Sequence, residues 1–155
     1  MAIIDVVKYD GPPEVLIWRH PPDDLTWGTQ VIVNQTQEAL FLKGGQIADI
    51  PPPGTHTLKT ANLPLLRTLI EAPFGGQTPF AAEVYFVNKA AHLDVKWGTA
   101  NPIPLLDPVY KVVLPVRGFG QFGVRVIDSK LLFTQLSATR KEFTTSTLIE
   151  LFKGA

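Results

Sequence analysis

The chain contains no cysteine among its 155 residues. That excludes a disulfide framework, a thiolate zinc site and a thiol nucleophile, and it fits a reducing compartment. Charge is also sparse. Charged residues make up 18%, and lysine plus arginine equal aspartate plus glutamate at 14 each. Proteins that grip nucleic acid carry a basic excess on one face, so no nucleic-acid partner is expected. Long apolar runs are missing as well: nothing approaches the roughly 18 uninterrupted apolar residues a spanning helix needs. The start, Met1 to Lys8, has too short an apolar run and no cleavage signature for a signal peptide. Its Ile3, Ile4, Val6 and Val7 suit an edge strand through β-branching, or else a short surface-seeking segment.

What the chain does have is corners. Fourteen prolines and twelve glycines punctuate it and point to many short strands within one domain large enough for a core. Residues 35–66 are the densest example. Ala39-Leu40-Phe41-Leu42 runs into Gly44-Gly45 and returns through Gln46-Ile47, which predicts a tight hairpin because glycine adopts positive φ freely. Pro51-Pro52-Pro53-Gly54 makes a corner, Thr55 to Thr60 a polar strand, and Asn62-Leu63-Pro64 the start of a helix over 63–71. Glu14 to Arg19, Val31 to Val33 and Phe80 to Asn88 read as further strands. Leu93, Val95 and Trp97 alternate with polar residues, as in a strand with one wet face. Asn101 to Pro108 reads as a proline-stiffened loop, and Lys111 to Ile127 as the longest strand. Two helices are expected at the end. One is capped near Asp128-Ser129; the other opens on a Thr139-to-Glu142 capping box and carries Phe143, Leu148, Leu151 and Phe152. Those four are the candidate self-association residues. A helix so apolar, ending at Gly154-Ala155, suggests that residues 1–155 are one domain of a longer protein lacking its C-terminal region.

Chemistry-bearing patterns are few. Gly118-Phe119-Gly120-Gln121-Phe122-Gly123 spells G-x-G-x-x-G, but dinucleotide binding needs a helix opening inside the motif, and here a strand continues through Val124 to Ile127. A bent strand is the better reading. His20, His56 and His92 lack ligand spacing for a metal. Asp23-Asp24, Glu83, Asp94 and Asp107 supply carboxylates, of which Asp23-Asp24 and Asp107 sit beside prolines as turn residues do. Trp18, Trp27 and Trp97 with Phe41, Phe80, Phe86, Phe119 and Phe122 serve a core or an aromatic platform, and Phe119 is the one to check for exposure. No catalytic residue, cofactor or metal is expected, and no enzyme activity.

The Gly-Gly hairpin, the Pro53-Gly54-Thr55-His56 corner and the β run ending in Val124-Arg125-Val126-Ile127-Asp128 resemble the SPFH (stomatin, prohibitin, flotillin, HflK/C; band-seven) domain. Ala39-Leu40-Phe41-Leu42 to Ala48-Asp49, Asn62-Leu63-Pro64, Ala82 to Asn88 and Lys96 to Ile103 are similar to its bacterial virion-core-protein-like branch. The resemblance spans about residues 15–150. It implies an α+β fold with a curved, mostly antiparallel sheet and helices packed beside it. It further implies a non-enzymatic, membrane-associated scaffold that forms homo-oligomers at the cytoplasmic face of the cell membrane, with phage-shock-type membrane-stress proteins as partners. A soluble β-rich module with an aromatic ligand cleft is the alternative.

Overall fold

A computed structural model describes residues 6–21, 28–43, 45–57, 82–137 and 142–153 of the chain. In chain order these form β1 (Val6–Val7), β2 (Val15–Arg19), β3 (Gln30–Val33), β4 (Gln37–Lys43), β5 (Gln46–Asp49) and β6 (Gly54–Thr57). There follow β7 (Ala82–Asn88), β8 (His92–Gly98), β9 (Ile103–Leu106), β10 (Val113–Val116) and β11 (Phe119–Val124). A short helix α1 (Ser129–Leu132) runs into a π-helical turn (Phe133–Ser137), and β12 (Glu142–Thr144) leads directly into α2 (Thr145–Lys153).

The centre is a five-stranded antiparallel sheet in the order β12-β2-β7-β4-β5. Its middle strands carry apolar side chains on both faces, as strands covered on both sides must. Ala39 and Phe41 of β4 and Val84 and Phe86 of β7 point one way, against Val7, Val31 and Val33 of a second, three-stranded sheet, β1-β3-β6. Leu40 and Leu42 with Tyr85 and Val87 point the other way, against Val126, Phe133, Phe143 and Leu148. A register shift where β2 meets β12 pairs Ile17 with Phe143 and Val15 with Thr144, leaving Leu16 unopposed. That bulge lets Leu16 and Ile17 enter the same cluster.

The hairpin is present: β4 and β5 pair Leu42 with Ile47 and Lys43 with Gln46, and Gly45 has a φ of 78°. The corner is present too. Gly54 turns with a φ of 136°, and the His56 ring donates from Nε2 to the Pro52 carbonyl at 2.6 Å, a structural role for this buried histidine. Val6 and Val7 do form a strand, pairing parallel with β3. The helix expected over 63–71 lies outside the described residues, as do Asp23-Asp24, Trp27 and Phe80.

The expected α+β class is overturned. Among the described residues strands dominate, they are divided among several sheets, and no helical layer packs beside the central one. The second face is instead closed by single residues from short segments: Val126 from a loop, Phe133 from the π-turn and Leu148 from α2. The terminal helix also begins later than expected. Glu142 and Phe143 are in β12, where pairing with β2 overrides local helix preference, and the Thr144 hydroxyl accepts the Thr147 amide at 3.2 Å in the manner of an N-cap.

Candidate functional site

Outside the central sheet the chain builds a long two-stranded arm. β8 and β11 pair antiparallel, with Phe122 opposite Val95 and Gly120 opposite Trp97. The Trp97 indole lies across the glycine: a Cβ at position 120 would come within 2.8 Å of its Nε1, whereas one at Gly118 would meet ring atoms at an ordinary 3.8 Å. The G-x-G-x-x-G string is thus a seat for tryptophan within a strand that bulges between Phe122 and Val124. The arm continues past Thr99, whose amide donates to the Gly118 carbonyl at 2.9 Å and whose hydroxyl accepts the Gly118 amide at 3.2 Å.

Beyond that clamp is a second ribbon, β9 and β10, pairing Ile103 with Val116 through Leu106 with Val113. The prolines of Asn101 to Pro108 predict an extended loop there. Both Pro104 and Pro115 are nevertheless strand residues, directly opposite each other. At the tip, Asp107 Oδ1 accepts the amides of Val109 at 2.7 Å and Tyr110 at 3.0 Å, so this carboxylate is a turn residue as expected. Every residue of β9 and β10 is exposed, although all are aliphatic or proline. Phe119, at the root of the ribbon, is 89% exposed.

The four proposed self-association residues separate. Phe143 and Leu148 are buried in the core, while Leu151 and Phe152 are 42% and 61% exposed on the outer side of α2. Phe152 approaches Phe122 edge-on at 6.2 Å. Between them, Trp97, Ile103, Phe122, Ile149 and Phe152 line an open cleft of about 490 Å³ where the arm leaves the body.

Several polar groups hold strands together. Arg19 Nη2 donates to Glu83 Oε1 at 2.6 Å, joining β2 to β7, and the Tyr85 hydroxyl reaches Glu83 Oε2 at 3.4 Å. Burial pushes the Tyr85 phenol up and the Glu83 charge adds to this, with Arg19 opposing. Ser129 donates to the Glu38 carboxylate, which also pairs with Lys89 at 3.2 Å, and so ties the start of α1 to β4. Among the described residues, no three histidine or acidic side chains converge as metal ligands would, and His56 and His92 lie on different sheets. Among the same residues, no helix is long and apolar enough to cross a membrane.

Residues 17–155 match the SPFH domain-Band 7 family. The chain is also similar to the uncharacterized protein YdjI of Bacillus subtilis (strain 168), at 24% identity over 131 residues, which is 84% of this chain and 40% of the relative. The chain therefore spans about 40% of the length of that curated relative. No solved structure matches it. A match over nearly the whole chain settles the family: this is a member of the SPFH domain-Band 7 family, whose proteins are in general membrane-associated, non-enzymatic scaffolds.

Proposed function

We propose that this domain serves a self-assembling scaffold of the virion-core-protein-like branch, working at the cytoplasmic face of a bacterial membrane beside phage-shock-type membrane-stress proteins. The observation that carries the reading is the exposed apolar surface of the arm and of α2 in a chain of this family. Ile103, Leu105, Leu106, Val113, Phe119 and Phe152 are all exposed, and large apolar patches left bare on a protein surface mark protein or membrane contacts. Leu151 and Phe152 on α2 are the residues of the terminal segment offered for contact between copies, with Phe143 and Leu148 holding that segment to the sheet. The similarity to a Bacillus subtilis protein supports the bacterial setting.

Sedimentation across a concentration series, with flotation on vesicles containing anionic lipid, tests this reading. Concentration-dependent assembly and co-flotation are expected, and a strict monomer that ignores anionic vesicles would overturn it. A second reading, a soluble module that binds an aromatic ligand, is favoured by the cleft between Trp97 and Phe152. Saturable quenching of tryptophan emission by a small aromatic compound, lost in Phe152→Ala, would select it.

A further inference from the structure

The β9–β10 hairpin has an apolar surface on all sides, and that is unusual for a docking element. Cross-strand pairing puts Ile103, Leu105, Leu114 and Val116 on one face and Leu106 and Val113, with the two prolines, on the other. Both faces are exposed, and so is the tip, where Val109 and Tyr110 are 76% and 78% accessible. A folded protein partner would cover one face of such a ribbon and leave its opposite in water.

The edges are equally informative. The Asp107 amide donates to the Val112 carbonyl at 2.8 Å, which makes 107 and 112 a hydrogen-bonded pair. Alternation along an antiparallel ladder then turns the amides of the pairs 106/113 and 104/115 outward. Two of these four positions are Pro104 and Pro115, which have no N–H. An edge so stripped of donors is a poor template for adding a strand from a second copy. The same lack of donors lowers the cost of surrounding the ribbon with a medium that cannot hydrogen-bond.

Charge and length narrow the occupant further. The Asp107 carboxylate is occupied by the tip amides, while Lys111 beside the tip and Arg117 at the root are exposed cations suited to anionic headgroups. Four-residue strands reach only ~13 Å, less than one leaflet of hydrocarbon.

We infer that the β9–β10 hairpin is the lipid-contacting element of this domain and wedges into the headgroup and upper acyl region of an anionic bilayer. The inference rests on the membrane-scaffold reading and assigns it to particular residues. The absence of cysteine permits a clean test on the whole chain. Tyr110→Cys, and Gln35→Cys in the exposed β3–β4 turn as a control, are each labelled with an environment-sensitive fluorophore and mixed with phosphatidylcholine vesicles containing phosphatidylglycerol. The label at position 110 should brighten severalfold, shift to the blue, and be quenched by lipids spin-labelled high on the acyl chain, while the label at position 35 stays unchanged. Leu105→Ser combined with Leu114→Ser should lower the vesicle-bound fraction at least tenfold with an unchanged circular-dichroism spectrum.

A chain that floats while position 110 stays silent overturns the hairpin assignment and leaves the scaffold reading standing. Failure of the unsubstituted chain both to float and to assemble removes both. Loss of self-association in lipid-free solution by the double variant, with flotation intact, assigns the hairpin to a protein contact and also overturns the inference.

Discussion

The strands β4 and β7 and the strands β9 and β10 are written in the same chemical language. Each pair is apolar on both faces, yet the first is buried on both and the second exposed on both. What separates them is the supply of cover. The central pair sits between a three-stranded sheet and a set of short segments from the second half of the chain, so the apolar area it removes from water stabilises the fold at roughly 25 cal/mol per Å². The ribbon has no such neighbour among the described residues, so its apolar area contributes little to folding and remains available for an outside contact. Apolarity on both faces of a strand therefore reports that cover is needed without saying who provides it.

The largest expected effect tests that contrast directly. Phe86, buried in the central sheet, should cost about 3–5 kcal/mol on truncation to alanine, through lost transfer energy and a residual cavity. Leu105→Ala in the ribbon should stay within about 0.5 kcal/mol, as substitutions at exposed positions do. Urea denaturation of the two variants checks the difference. A Leu105→Ala cost approaching that of Phe86→Ala would mean that the ribbon is covered within the chain and that the two regions are alike after all.

A smaller effect is expected where the arm meets its glycines. Gly120→Ala pushes a methyl group against the Trp97 indole, which is partly exposed and can yield, so the loss should be about 1 kcal/mol together with a shift in tryptophan emission. Gly118→Ala, with ordinary 3.8 Å contacts, should change neither. Equal responses at the two positions would show that the ring is not seated on Gly120.

Much of this was legible in the residues. The Gly-Gly hairpin, the Pro-Gly corner with His56 and the turn role of Asp107 follow from turn chemistry, which is local. Two features were not legible, for opposite reasons. Phe143 follows a good helix-start signal but pairs with Ile17, a contact distant in sequence that no local preference reveals. Residues 101–108 read as a loop stiffened by its prolines, whereas an edge position whose amide would face outward tolerates proline within a strand. The signal that could have found the ribbon is the symmetry of Ile103-Pro104-Leu105-Leu106 and Val113-Leu114-Pro115-Val116 about an Asp-Pro turn. The exposure of both its faces had no sequence signal, because an apolar run reads the same whether or not the chain covers it.

The smallest effect expected probes how tightly the central sheet is sealed. Tyr85 is buried beside Phe133, with ring centroids 4.8 Å apart, and its phenol is held above the ordinary tyrosine value chiefly by burial and then by Glu83. A raised folded-state value means that the unfolded chain gives up this proton first. The stabilisation is therefore complete below about pH 10 and is lost as pH climbs through the folded value. Tyr85→Phe removes that dependence. At about pH 8 the variant should be slightly less stable, by under ~1 kcal/mol for one long hydrogen bond, and near pH 11 the gap should close or reverse. Denaturant midpoints at the two pH values decide it. An unchanged gap would mean that the hydroxyl reaches solvent and that this face of the central sheet is less completely covered than its packing indicates, which would bring the two regions closer together.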